Sequence, residues 1–133
     1  MINYHFCICL PVRPEIAPAN GISELTGEEN GMVTLTFNIT RAIPSVMVGD
    51  IQWIYSPDFS EGPFEIGNMD ITNLPRRIDM STYAFTPNLL SLTIGNIAQA
   101  RTVGEPTDRG RYFLVATNPA GPGSSYIDLL VAG

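Results

Sequence analysis

Apolar and polar residues alternate one for one along much of this chain. Val33, Leu35, Phe37 and Ile39 take turns with Thr34, Thr36, Asn38 and Thr40. Ile51, Trp53 and Tyr55 have the same spacing, as do Leu90, Leu92 and Ile94, then Tyr112, Leu114 and Ala116, then Ile127, Leu129 and Val131, although Ile54, Phe113, Val115 and Leu130 between them are apolar too. A period of two places successive side chains on opposite faces of an extended strand. Turn signals separate these runs at Asn30-Gly31, Gly49-Asp50, Glu61-Gly62-Pro63, Thr86-Pro87-Asn88 and Asn118-Pro119-Ala120-Gly121. The 12 Gly and 11 Pro are spread along the chain rather than gathered into a linker. Strands with one apolar face, repeated this often, predict an all-β chain of two antiparallel sheets packed face to face.

With 133 residues, 44% of them hydrophobic, the chain is one domain that can bury a core of its own. No apolar run approaches the roughly 18 residues of a membrane-spanning helix. The seven cations are all Arg and the net charge is -6. That balance excludes a large basic stripe, and with it nucleic acid as a partner, and disfavours an anionic membrane surface. His5 is the single histidine, so no Ser-His-Asp or Cys-His arrangement is expected, and the scattered carboxylates form no recognisable acid–base pair. We expect no catalytic residue, no cofactor and no metal. The two cysteines, Cys7 and Cys9, share one side of a strand and are too close for an ordinary internal bridge. They read as small buried apolar groups, with an intermolecular disulfide or a soft-metal pair as the alternatives. The opening residues lack the basic start and small-residue cleavage site of a signal peptide. Tyr4, Phe6, Ile8 and Leu10 make an apolar strand side that needs burial on this domain or a neighbour. We therefore divide the chain into an N-terminal extension or extra strand, 1–13, and one domain, 14–133.

The run Asp108-Arg109-Gly110-Arg111-Tyr112-Phe113-Leu114 resembles the Asp-x-Gly-x-Tyr-x-Cys motif of immunoglobulin domains, in strand F. Val33-Thr34-Leu35-Thr36-Phe37 resembles strand B, Trp53 stands where the strand C tryptophan belongs, Leu90 to Ile94 look like strand E, and Arg77-Ile78 resembles the start of strand D. The resemblance covers roughly Pro14 to Val131, in order. It implies an immunoglobulin-like antiparallel β-sandwich with a variable-type frame and a short F–G turn, the extra strand being supplied by Phe64-Glu65-Ile66-Gly67. It departs at the bridge: Phe37 and Leu114 occupy the two cysteine positions. By resemblance, Phe37, Trp53, Tyr112 and Leu114 are structural core, the Tyr112 hydroxyl bonds backbone near Asp108 or Arg109, and Asp108 pairs with Arg77 or, alternatively, Arg76.

If Trp53 and Leu114 point inward, Ile54, Phe113 and Val115 point outward, with Tyr126 and Leu130 on the last strand. Strand B shows only Thr and Asn outward. An apolar patch on one sheet usually marks an interface. The alternative is that the segment around Phe64 or the N-terminal strand covers it. In antigen-receptor variable domains, residues aligned with Ile54, Pro63 and Phe113 lie between domains. The expected interface is therefore Ile54, Pro63, Phe113, Val115, Tyr126 and Leu130, engaging a second copy or another immunoglobulin-type domain. Asn38-Ile39-Thr40 is a glycosylation sequon. The resemblance implies a non-catalytic recognition or adhesion module of an immune-type or cell-surface receptor, extracellular or at the cell surface, as a fragment of a larger protein. The alternative is an intracellular, cytoplasmic, titin-like structural domain, which would explain the absent bridge.

Overall fold

The computed structural model describes residues 10–73, 79–86, 88–99 and 107–132, with backbone alone at 73 and 79–86. One sheet has four strands in the order β1 (Val12–Pro18), β3 (Val33–Ile43), β7 (Leu89–Gly95) and β6 (Asp79–Thr86). The other has five, in the order β2 (Glu24–Glu28), β9 (Gly121–Ala132), β8 (Gly110–Asn118), β4 (Ile51–Ser56) and β5 (Met69–Asp70). The strand pairs are antiparallel except β2–β9, which runs parallel from Glu24↔Asp128 to Glu28↔Ala132. This is an immunoglobulin-like β-sandwich.

The core follows from the alternation. In β3, Leu35, Phe37 and Ile39 are buried while the residues between them are more exposed. They meet Trp53 and Tyr55 from β4, Tyr112, Leu114 and Ala116 from β8, and Ile127 and Leu129 from β9. The rings of Phe37 and Trp53 pack edge to face at 5.6 Å, joining the two sheets, and Trp53 lies directly opposite Leu114. On the outer side of the four-stranded sheet, hydroxyls pair across strands: Thr34 with Thr93 at 2.9 Å, and Thr36 with Ser91 at 3.0 Å. Asn38 stands on that same face, half-buried between β1 and β7.

Two tyrosine hydroxyls tie down the chain entering β8. Tyr112 donates to the Asp108 carbonyl at 2.6 Å and Tyr55 to the Arg109 carbonyl at 2.5 Å. Asp108 is buried, and its Oδ2 accepts from the Ala98 amide at 2.7 Å. Arg76 and Arg77, the partners expected for Asp108, lie outside the described residues. At the opposite end, β8 turns into β9 through Pro119-Ala120, with Asn118 facing Gly121. Asn118 organises that end: its Nδ2 donates to the carbonyls of Val12 at 2.7 Å and Pro44 at 2.9 Å, while its Oδ1 accepts from the Ala120 amide. Gly123 is required there, because a Cβ would lie 1.8 Å from the Pro14 carbonyl oxygen.

One expected strand is absent. Phe64 to Gly67 lie in turns, and the pairing with β4 is made instead by the two residues of β5. Asn68 explains the difference. Its Nδ2 donates to the Gly62 and Pro63 carbonyls, both at 3.0 Å, which folds the segment back on itself.

Phe37 has no exposed surface. Phe37→Ala should lower stability by about 3–5 kcal/mol, as other buried Phe truncations do. Denaturant melts check this, and a change of only about 0.5 kcal/mol would remove Phe37 from the core.

Candidate functional site

The outer face of the five-stranded sheet is set by the inward direction of Trp53 and Leu114. Register places Ile54, Phe113 and Tyr126 in one row across β4, β8 and β9, with Val115 beside Gln52 and Ser124 in the next. Ile54, Phe113 and Val115 form a small apolar cluster distinct from the main core. Alternation predicts these three in water; in the structure they are buried instead, 4%, 1% and 3% accessible. Phe113 is covered in part by Tyr126, whose ring stands edge-on to it at 5.7 Å. Of the two covers considered for this face, the Phe64 segment turns its apolar groups away, with Phe64 67% exposed. The strand expected at the N-terminus, with His5, Cys7 and Cys9, falls on residues 1–9, which lie outside the described residues. What remains accessible of the expected interface is Tyr126, with Pro63 and Leu130 half-buried; Leu130 faces the β2 edge, opposite Thr26.

Charge chemistry on this face centres on Arg111, which sequence reasoning did not single out. Arg111 and Asp128 are direct cross-strand partners. The guanidinium binds the carboxylate through both arms, Nε to Oδ1 at 2.7 Å and Nη2 to Oδ2 at 3.1 Å. Its Nη1 donates to the Ser60 carbonyl at 3.0 Å, and it stacks on the Tyr126 ring at 3.7 Å. The hydrogen bonds with Asp128 raise its pKa above the ordinary arginine value, burial opposing them. Arg109 lies 4.7 Å from the Phe59 ring and Arg111 6.0 Å from it, so both cations bracket the segment that follows β4. Each link is a charge placed against something fixed: a forked donor on a carboxylate, or a cation on a π face.

The segment 57–68 is held to the sheet by polar groups that turn inward. Ser56 Oγ lies 2.9 Å from Ser60 Oγ and accepts from the Ser60 amide at 2.9 Å. Asn68 Nδ2 donates to Ser60 Oγ at 2.7 Å as well as to the two carbonyls already named. The Gly62 amide donates to the Glu65 carboxylate. Phe59 adopts a left-handed backbone (φ 53), uncommon for a bulky residue.

Beside β5, a cavity of about 380 Å³ opens between the sheets, lined by residues including Ile51, Trp53, Ile71 and Leu92. Asp70 stands at its rim. Burial pushes its pKa up, but hydrogen bonds from the Thr72 hydroxyl and amide and from Gln52 outweigh this and hold the carboxyl below its ordinary value. No helix among the described residues is long and apolar enough to cross a membrane.

No family model matches the sequence, and no curated protein is similar to it in sequence. Solved structures are similar in fold. A chimeric titin Z1Z2 carrying a KLER peptide from decorin superposes with a TM-score of 0.60 and 20% identity, over 91% of this chain and 49% of that one. Titin M4 gives 0.59 and 18%, over 92% and 99%. The twitchin kinase region from C. elegans gives 0.57 and 15%, over 90% and 16%. The chain spans about half the length of the titin Z1Z2 chain it matches. At these identities the likeness establishes the fold.

Arg111 and Asp128 form an ion pair on this face, with side chains only 15% and 17% exposed. A double-mutant cycle with Arg111→Ala and Asp128→Ala should give a coupling of about 1 kcal/mol, at the upper end of the range for partly exposed pairs. Melts at low and high salt check it, and a coupling near zero would leave Arg111 acting through its other contacts alone.

Proposed function

From an immunoglobulin-like β-sandwich with this topology, we propose a non-catalytic structural module of an intracellular protein, of the kind found in titin and twitchin. What supports this over a cell-surface receptor is the company the fold keeps. The titin domains align over nine-tenths of this chain, at TM-scores of 0.60 and 0.59. A titin Z1Z2 structure in complex with telethonin is among the similar structures, which favours protein partners for such a module. The two-residue β5 and the tight β8–β9 turn favour the intermediate pattern of muscle domains over a variable-type frame. Phe37 and Leu114 at the bridge positions suit a reducing compartment, where a disulfide would not persist. The division into an extension, 1–13, and a domain, 14–133, is kept only as part of this reading, and its boundary falls inside β1, where Val12 pairs with Ile43; glycosylation at Asn38 belongs to the surface-protein alternative.

The observation that carries a mechanical role is the parallel pairing of β2 with β9. These strands lie near the two ends of the domain in sequence, and their five register pairs run side by side. Tension drawing the flanking chain in opposite directions loads those pairs together, in shear, instead of one after another. Force spectroscopy of the chain between reference domains tests this. The expected result is a single cooperative force peak that falls markedly in Leu25→Pro/Thr26→Pro. Neighbouring residues of an edge strand point their N–H groups alternately toward and away from the sheet, so the double change removes the inward one. A wild-type peak no higher than that of the proline variant would overturn the mechanical reading.

A further inference from the structure

The segment 57–68 is ordered by polar groups and carries two apolar side chains in water. Pro57, Phe59 and Pro63 are half-buried, and Asp58, Glu61 and Glu65 are exposed. Ser60 and Asn68, half-buried, satisfy the carbonyls of Gly62 and Pro63. Phe64 and Ile66 stand outside, 67% and 104% exposed. The base is clamped from below by Arg111 on the Ser60 carbonyl and by Arg109 against Phe59. Nothing in the sandwich needs Phe64 or Ile66 where they are: neither belongs to either apolar cluster. A loop ordered by this many hydrogen bonds has already met the entropic cost of presenting two apolar side chains, which is the arrangement that strengthens binding through preorganisation.

We infer that the tip of this loop is a docking element for a protein surface with an apolar pocket rimmed by cations. Phe64 and Ile66 would fill the pocket, as buried aromatic and aliphatic anchors do at interface centres. The charge around them selects the rim. Residues 57–68 contain Asp58, Glu61 and Glu65 and no Arg or Lys. Such a surface is drawn to a basic rim and repelled by an acidic one. The same argument disfavours a second copy of this chain, which carries a net charge of -6, and an anionic membrane. This inference does not depend on the role in tension, because the loop tip lies outside the β2–β9 pairing; β9 reaches it only through Arg111 at its base.

The test uses the intact chain and a random dodecapeptide library displayed on phage, panned at low salt, with individual peptides then titrated by calorimetry. Peptides rich in Arg or Lys and in aromatic or aliphatic residues should be recovered. Their Kd should rise at least tenfold with Phe64→Ser/Ile66→Ser, and severalfold with Glu61→Lys or in high salt. Leu89→Ser, an exposed apolar site on the other sheet, should change it less than twofold. Thermal melts of the variants should match wild type, since both tip residues are at the surface. Recovered peptides that bind the double variant as tightly as wild type would overturn the proposal, as would recovery of none that discriminate. Two further outcomes also overturn it: sedimentation showing a wild-type dimer lost in the double variant would assign the tip to self-association. Co-sedimentation of wild type, but not the double variant, with phosphatidylcholine vesicles would assign it to lipid.

Discussion

The edge-to-face contact between Phe37 and Trp53 is where the two sheets of this domain become one structure. Trp53 belongs to β4 and Phe37 to β3, in opposite sheets, so fixing this pair fixes which side of each strand is inward. Antiparallel register then propagates the choice. Trp53 opposite Leu114 puts Tyr112 and Ala116 inward, and Phe37 opposite Leu90 puts Leu35 and Leu92 inward. Side-chain direction in a sheet has a period of two, so a slip by one residue would exchange every core residue for a surface one. The tyrosines extend the constraint to a loop. Tyr55 and Tyr112 pack ring against ring at 5.0 Å within the core, yet their hydroxyls reach the backbone at 108 and 109. Apolar packing and the position of the chain entering β8 are thereby set by the same two side chains.

Strand positions and the two-sheet architecture were legible because they depend on local alternation. The pattern in Val33 to Thr40 names both the strand and its buried face. The outer face of the other sheet was harder to read. Alternation shows that Ile54, Phe113 and Val115 share a side, and the structure brings them together. It does not show whether that side meets water, because cover comes from residues distant in sequence. Tyr126 lies over Phe113 only once β9 is paired to β8. The same limit explains Asn118, which read as an ordinary turn residue but joins carbonyls 106 and 74 positions away. The expected strand at Phe64 failed for a more local reason. An apolar–polar–apolar triplet is compatible with a strand, but Asn68 supplied the carbonyl partners that a neighbouring strand would have offered.

The two outer faces of the sandwich are held by different chemistry. On the four-stranded sheet, neutral hydroxyl pairs bridge β3 and β7. On the five-stranded sheet, a small second core carries a charged lid: Arg111 with both arms on Asp128 and its plane on Tyr126. An arginine suits this position where a lysine would not, since a planar fork can satisfy a carboxylate, a carbonyl and a ring at once. Because the Ser60 carbonyl is one of those partners, the ion pair and the loop after β4 are a single unit.

That coupling bears on why the loop presents what it does. Replacing Phe64 or Ile66 with polar residues would remove exposed apolar surface at no cost to the contacts that hold the sandwich. Water-facing apolar groups are common one at a time and need no explanation singly. Two within three residues, on a segment fixed by Arg111, Ser56, Ser60 and Asn68, are a different case. A mobile loop would hide such groups by collapsing onto the sheet beneath. Here the hydrogen bonds oppose that collapse, because folding Phe64 inward would displace the Asn68 amide from the Gly62 and Pro63 carbonyls, of which only Gly62 has a second donor in the Ser60 hydroxyl. The polar interior of the loop is therefore what keeps its apolar tip in solvent, and stability alone gives no reason to build it so.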